Sequence, residues 1–251
     1  MSPQQHRFTP NNSIMSRRTS PEPSIIPPPP PVLDSNGLLT GQHDVDNNSQ
    51  VPILSYRSRP PGEPVKPGIE LRILPVGDSI TVGFSGRLTF EYSITENIGP
   101  TLAQRPNIII LLHAGTNDMN SNSSISTEGN DPADAAARLG SLIDKMVAAC
   151  PDAVILVALI IGTCDVNHDP NLLSELNDFI PYEANSRWQA GRKVLVADFY
   201  NMFPDDKLGA DCVHPTDEGY ALMGDYWYDF VSQIPTPWIE SPVGDDPVRS
   251  V

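Results

Sequence analysis

The chain has 251 residues, 16 of them basic and 31 acidic, for a formal net charge of −15. That length admits one good hydrophobic core with chain to spare. The negative charge argues against nucleic acid and anionic membranes as partners and suits neutral or cationic substrates.

Residues 1–69 are expected to form a disordered, Pro-rich tail. Residues 1–70 hold 14 of the 27 prolines, including the run Pro27–Pro31. They show few aromatics and no apolar periodicity. A polyproline II stretch there is a plain tail or a ligand for a proline-binding partner. These 70 residues carry six basic and six acidic side chains, so the whole negative excess lies in 71–251. Met1–Ser24 lacks the apolar segment of a signal peptide. No stretch approaches the length of a membrane helix. As written, the chain is expected to stay inside the cell.

Four apolar segments follow: Leu71–Val76, Asn107–His113, Val154–Ile161 and Lys193–Phe199. Each is nearly continuous rather than alternating, the pattern of a parallel sheet covered on both faces. Helical patterns lie between and after them. In 132–150, Leu139, Leu142, Ile143, Met146, Val147 and Cys150 recur at three- and four-residue steps. Asp131 is placed to cap that helix, with Pro132 at its first position. Leu172–Ala190 is a second helix, which Pro181 should kink or split. Thr216–Ile234 is a third. Strands alternating with helices imply right-handed crossovers and a three-layer α/β/α sandwich with a mostly parallel sheet. The expected domain is 70–235, with 236–251 a C-terminal tail.

In such sheets ligands gather at the carboxyl ends of the strands. Gly77-Asp78-Ser79-Ile80 sits directly behind the first strand. Ser79 suits a helix cap, but a helix N-terminus also offers N–H groups to a developing oxyanion. Gly115-Thr116-Asn117-Asp118 closes the second strand, and the Asn117 amide is a candidate oxyanion donor. Asp118 is expected to cap or brace its loop. Asp211-Cys212-Val213-His214, before Pro215, holds an acid and an imidazole on one short loop. Asp211 can accept a hydrogen bond from the Nδ1–H of His214, fix the tautomer and leave Nε2 for Ser79. The alternative is a solvated loop ahead of a helix.

His113, inside an apolar run, is expected to be a satisfied structural histidine. His168, in the polar loop Cys164–Pro170, is expected to be exposed, with lining of a cleft as the alternative. No two histidines have metal-ligand spacing, and Asp78 with Asp118 defines no metal site, so no metal is expected. Tyr226-Trp227-Tyr228 points in different directions along a helix, so core packing is its default role. Three cysteines do not suggest a disulfide framework. One bridge between Cys164 and Cys212, both in candidate active-face loops, and inert free thiols remain alternatives.

Together Gly77-Asp78-Ser79, Gly115-Thr116-Asn117-Asp118 and Asp211-Cys212-Val213-His214-Pro215 resemble blocks one, three and five of the SGNH hydrolases, also called GDSL esterases. The run from His113 to Met119 and the Asp-Glu-Gly-Tyr after His214-Pro215 resemble fungal carbohydrate esterases of the acetylxylan-esterase type. The likeness covers about residues 70–235. It implies a flavodoxin-like sandwich, a Ser79–His214–Asp211 triad and no cofactor. It also implies an oxyanion hole from the Ser79 N–H, a glycine N–H and the Asn117 side chain. The implied partner is a small-molecule or polysaccharide ester. Relatives of this type are usually secreted, against the missing signal peptide.

One departure stands out. Such proteins place a helix, a strand and a glycine-bearing block two between blocks one and three. Here Ser79 and Gly115 are only 36 positions apart. Phe84-Ser85-Gly86-Arg87-Leu88-Thr89 resembles the tail of block two joined to block one, as a lost exon would leave it. Gly86 is then the implied oxyanion glycine. The first strand becomes a sheet edge unless 88–94 pairs as a substitute. The expected function is a serine carboxylic-ester hydrolase that deacetylates carbohydrate. The alternatives are an impaired or carbohydrate-binding remnant and a lipase- or thioesterase-type member of the superfamily.

Overall fold

A computed structural model describes residues 50–58, 64–82 and 107–243. Gly86, the 88–94 segment and most of the Pro-rich tail, Pro27–Pro31 included, lie outside the described residues. Five strands form one sheet: β1 (Ile53–Leu54), β2 (Ile73–Gly77), β3 (Ile109–His113), β4 (Val154–Ala158) and β5 (Val194–Ala197). Their order is β1-β5-β4-β3-β2, and every pair is parallel. β3, β4 and β5 are buried along their whole length, as their unbroken apolar runs require.

Alternate strand residues face opposite layers. Ile110, Leu112, Ile155, Val157, Val194 and Val196 pack under α2 (Pro132–Ala149) and α3 (Pro170–Gln189). Ile109, Leu111, Leu156, Leu195 and Ala197 pack with Phe199 and with Met223, Tyr226 and Phe230 of α4 (Asp217–Ser232). These are the three layers of an α/β/α sandwich. Each long helix starts on a side-chain cap. Asp131 accepts the Asp134 N–H, Asp169 the Asn171 N–H, and Thr216 the Gly219 N–H. Tyr226 and Trp227 stack on Phe199, consistent with core packing.

Three expectations are revised. The folded body extends past both ends of the span 70–235. Ile53–Leu54, inside the expected tail, pairs with β5, and Leu54 is buried. Beyond residue 235, Trp238 and Ile239 pack into the face beneath α4. α3 is also neither split nor shortened at Pro181: it runs from Pro170 to Gln189 as one helix. Pro181 has no N–H to give the Asn177 carbonyl, so the ladder loses one bond there. The Asn177 side chain points away from the helix to the segment that follows β4. Its amide accepts the Ile160 N–H at 2.6 Å and donates to the Ile160 carbonyl at 2.9 Å.

β2 pairs with β3 on one side and has no second partner among the described residues. Pro75 sits within it, as suits an edge strand, since proline has no N–H for a second ladder. No described helix is long and apolar enough to cross a membrane.

Candidate active site

β2 and β3 run side by side with Gly77 opposite His113, so their carboxyl ends share one rim of the sheet. Ser79 opens the one-turn helix α1 (Ser79–Val82) two residues past Gly77. Capping there falls to Asp78, whose Oδ1 accepts the Ile80 N–H at 3.0 Å; the serine hydroxyl stays available. Gly77 is required by close approach: a Cβ there would fall inside the Thr81 side chain and the His113 carbonyl. Thr81 Oγ1 donates to that same carbonyl at 3.2 Å. The serine turn is therefore held flat against the end of β3.

The third fragment arrives from the loop between β5 and α4. Its backbone folds on itself: the Gly209 N–H donates to the His214 carbonyl at 2.7 Å, and the Thr216 N–H to the Lys207 carbonyl at 2.8 Å. Asp211 Oδ1 accepts the N–H groups of Val213 and His214 at 3.1 and 3.0 Å. Its other oxygen lies 2.7 Å from His214 Nδ1. Across the rim, His214 Nε2 lies 2.7 Å from Ser79 Oγ. Three side chains separated by up to 135 positions thus form one hydrogen-bonded chain. Burial pushes the Asp211 carboxyl up. The His214 backbone N–H, the His214 ring and the Val213 N–H outweigh it, and the carboxyl stays below its ordinary value.

Asn117 opens a single 3-10 turn, Asn117–Met119, past the end of β3. Gly115, at φ +133°, makes the bend that leads into it. Asp118 braces this turn: its Oδ1 accepts from Arg138 Nη2 of α2 at 2.5 Å and from Nε at 3.2 Å. Gly86 lies outside the described residues.

His113 is buried, but it is not the satisfied histidine that its setting predicts. Neither ring nitrogen has a hydrogen-bond partner among the described residues. Its ring meets Phe199 edge-on at 6.0 Å between centroids. Burial pushes its pKa down, against the pull of nearby Asp78. It is a neutral packing residue beneath the serine turn. Cys164 and Cys212 form a disulfide, and the Cys164 N–H donates to the Cys212 carbonyl at 2.9 Å. Cys212 holds a left-handed φ of 60°, uncommon for a residue with a side chain. Cys150 is buried, forms no disulfide, and has its thiol pKa pushed up by that burial.

His168 overturns its expectation more sharply. It is 5% exposed, not a solvent-facing loop residue. Its Nδ1 lies 2.8 Å from Asp165 Oδ2, and its Nε2 lies 3.3 Å from Asn120 Nδ2. Sequence reasoning passed over this Asp165–His168 pair, although its spacing repeats that of Asp211–His214.

Residues 72–222 match the model of the GDSL-like lipase/acylhydrolase family. The chain belongs to that family. Membership makes it an ester hydrolase of the serine class. No match was found among curated protein sequences. Among solved structures, a family 3 carbohydrate esterase from Clostridium thermocellum is 20% identical at a TM-score of 0.50. The alignment covers 66% of this GDSL chain and 98% of that one. A family 3 carbohydrate esterase from Talaromyces cellulolyticus gives 20% identity and a TM-score of 0.50 over the same shares, 66% and 98%. A carbohydrate acetylesterase from Sinorhizobium meliloti is 16% identical at a TM-score of 0.52, over 65% of this chain and 99% of that one. At such identities the shared feature is the parallel α/β fold.

Proposed function

We propose that this GDSL acylhydrolase removes acetyl groups from carbohydrate esters, with Ser79 as nucleophile, His214 as base and Asp211 as its orienting acid. The observation that carries this reading is the hydrogen-bonded chain from Ser79 Oγ through the His214 ring to Asp211, with 2.7 Å at each link. In the mechanism, Ser79 Oγ attacks the acetyl carbonyl carbon while its proton passes to His214 Nε2. The Ser79 N–H and the Asn117 amide, with Gly86 as third donor, hold the oxyanion. The tetrahedral adduct collapses, the C–O bond to the sugar breaks, and His214 protonates the departing alkoxide. Water then attacks the acetyl-serine with His214 again as base, releasing acetate. Asp211 stabilises the imidazolium that forms at each stage.

The acetyl-carbohydrate assignment draws on the carbohydrate esterases that share the fold, and on an acidic body suited to a neutral substrate. Hydrolysis of 4-nitrophenyl acetate tests the mechanism. The expected result is turnover that Ser79→Ala abolishes; a rate unchanged by that substitution refutes it. A panel of acyl lengths tests the substrate class, since a lipase- or thioesterase-type enzyme would prefer longer chains. The unpaired outer side of β2 among the described residues favours one rival, a catalytically impaired remnant. A fluorophosphonate probe decides it, because only an activated serine is labelled.

A further inference from the structure

The loop that follows β4 repeats the architecture of the base loop. Asp165-Val166-Asn167-His168 spaces its acid and imidazole as Asp211-Cys212-Val213-His214 does. In each, one carboxyl oxygen meets Nδ1 of the histidine, at 2.8 Å here and 2.7 Å there. In each, the carboxyl also accepts a backbone N–H two residues on, from Asn167 at 3.2 Å and from Val213 at 3.1 Å. The two loops are joined. Cys164 precedes Asp165, Cys212 follows Asp211, and the disulfide links them.

The two Nε2 atoms differ in what they meet. That of His214 meets the Ser79 hydroxyl; that of His168 meets Asn120, itself 4% exposed. The Asn120 amide has a determined orientation. Its oxygen accepts the Asn122 N–H at 2.8 Å, so its NH2 group faces His168. An amide NH2 only donates, so His168 Nε2 accepts, and the ring proton sits on Nδ1, donated to Asp165. Asn120 is the residue after the Asn117–Met119 turn, and its N–H donates to the Asn117 carbonyl at 3.1 Å. The next residue is held too: the Ser121 N–H donates to the Asn167 carbonyl at 2.7 Å. The turn that presents Asn117 therefore leans on the 165–168 loop through a side chain and a backbone bond.

We propose that Asp165 and His168 are positioning residues for the ester hydrolysis proposed above, on which this inference rests. By clamping Asn120 they keep the Asn117 amide in place for the oxyanion, and the disulfide couples this clamp to the base loop. A lost oxyanion donor costs on the order of 10²–10³ in kcat, and a misplacement of about 1 Å can approach 10². A released clamp is accordingly expected to lower kcat by about 10- to 100-fold. KM is expected to move less than about threefold, because the donor acts on developing charge.

The experiment uses the full chain and 4-nitrophenyl acetate, with active sites counted by labelling to completion with a fluorophosphonate. Counting sites removes any effect of partial unfolding. His168→Ala is expected to show the kcat loss per labelled site. His168→Gln, whose amide oxygen can accept from Asn120, is expected to recover to within about threefold of the parent. Asp165→Ala removes the carboxyl oxygen that accepts the Nδ1 proton. The ring then loses the partner that fixes its tautomer and its orientation toward Asn120, and about a tenfold loss of kcat is expected. An unchanged kcat per labelled site in His168→Ala and Asp165→Ala overturns the proposal, as does a His168→Gln variant no better than His168→Ala. If the unsubstituted chain shows no Ser79-dependent turnover, the esterase reading itself fails and takes this proposal with it. If turnover is Ser79-dependent and insensitive to His168 and Asp165, only the positioning role is lost.

Discussion

The disulfide links the loop of the proposed base to the loop of its proposed clamp, so its removal is the perturbation with the most to reveal. Cys164 and Cys212 close a loop of 48 residues. Cross-linking a loop of that length removes about 14 cal/mol/K of entropy from the unfolded chain, worth roughly 4 kcal/mol at 25 °C. For a domain of this size each kcal/mol moves Tm by about 2–4 °C. Cys164→Ser/Cys212→Ser is therefore expected to melt about 8–16 °C below the parent. Two features bring the observed value toward the lower figure. The Cys164 N–H bond to the Cys212 carbonyl survives the substitution, and so does the hydrogen bond from the Cys212 N–H to the Gly209 carbonyl at 3.0 Å. The assay is differential scanning calorimetry of both proteins with and without dithiothreitol. Reductant should bring the parent down to the double variant and leave the variant unmoved. A difference below about 3 °C would show that the backbone bonds hold the loops without the bridge. A variant that also falls in reductant would show that the effect lies elsewhere.

Three further outcomes follow from the same geometry. Replacing His214 with Ala or Asp211 with Asn should cut the esterase rate by on the order of 10³–10⁴ while each variant still unfolds in one cooperative transition; a loss under tenfold in steady-state kinetics would remove His214 from the base role. Gly77→Ala forces a methyl into the Thr81 side chain and the His113 backbone, and backbone moves less readily than a side-chain tip. It should cost about 1–3 kcal/mol or more in urea denaturation, and a neutral result would mean the serine turn is not packed as described. The acid limit of stability is the last. The His168 ring holds the Asp165 carboxyl below its ordinary value, and hydrogen bonds from the 213–214 segment, overcoming burial, do the same for Asp211. For a depressed carboxyl, the unfolded chain takes up the proton first as pH falls. The contribution is complete above the ordinary value of about 3.9 and is lost as pH drops through the native one. Melting temperatures between pH 6 and pH 3 should fall steeply below about pH 4, and less steeply in Asp165→Asn/Asp211→Asn; identical slopes would refute the assignment.

Much of this arrangement was legible in residue order, and the failures have physical reasons. Unbroken apolar runs located β2 to β5, because a strand covered on both faces has no polar period. The runs overreached at their ends: Leu159–Ile161 and Phe199 are fully or nearly buried yet unpaired as strand. Apolarity reports burial, and burial continues past the last ladder bond. β1 escaped notice because two residues carry no periodicity, and its pairing with β5 is a tertiary event. Trp238 and Ile239 were missed likewise: a short apolar tail cannot announce which face receives it. Ser79, Asp211 and His214, which the fold joins in one hydrogen-bonded chain, stand out in the sequence because their side-chain types recur at strand ends and in late loops. His168 was misjudged because polar neighbours mark a loop as solvated, whereas here the loop folds over Asn120 and buries the ring. The repeated spacing of Asp165–His168 and Asp211–His214 was visible, but spacing alone does not say which ring nitrogen will find a partner.

The division of labour between sheet and rim accounts for both outcomes. β2, β3 and β5 deliver three chain segments to one edge, and their register is set by residues with no part in chemistry. Each segment then turns its functional group by local bonds: Asp78 across the start of α1, Asp211 around the 213–214 turn, and Asn120 beside the Asn117 turn. These bonds span two or three residues, except where Asn120 reaches His168 across 48 positions. Local bonds are written in neighbouring residues and can be read there. The Asn120–His168 contact, like the disulfide, exists only once β3, β4 and β5 lie side by side. Aim at this rim thus depends on two kinds of constraint, and the long-range kind is the one that a correctly folded sheet alone supplies.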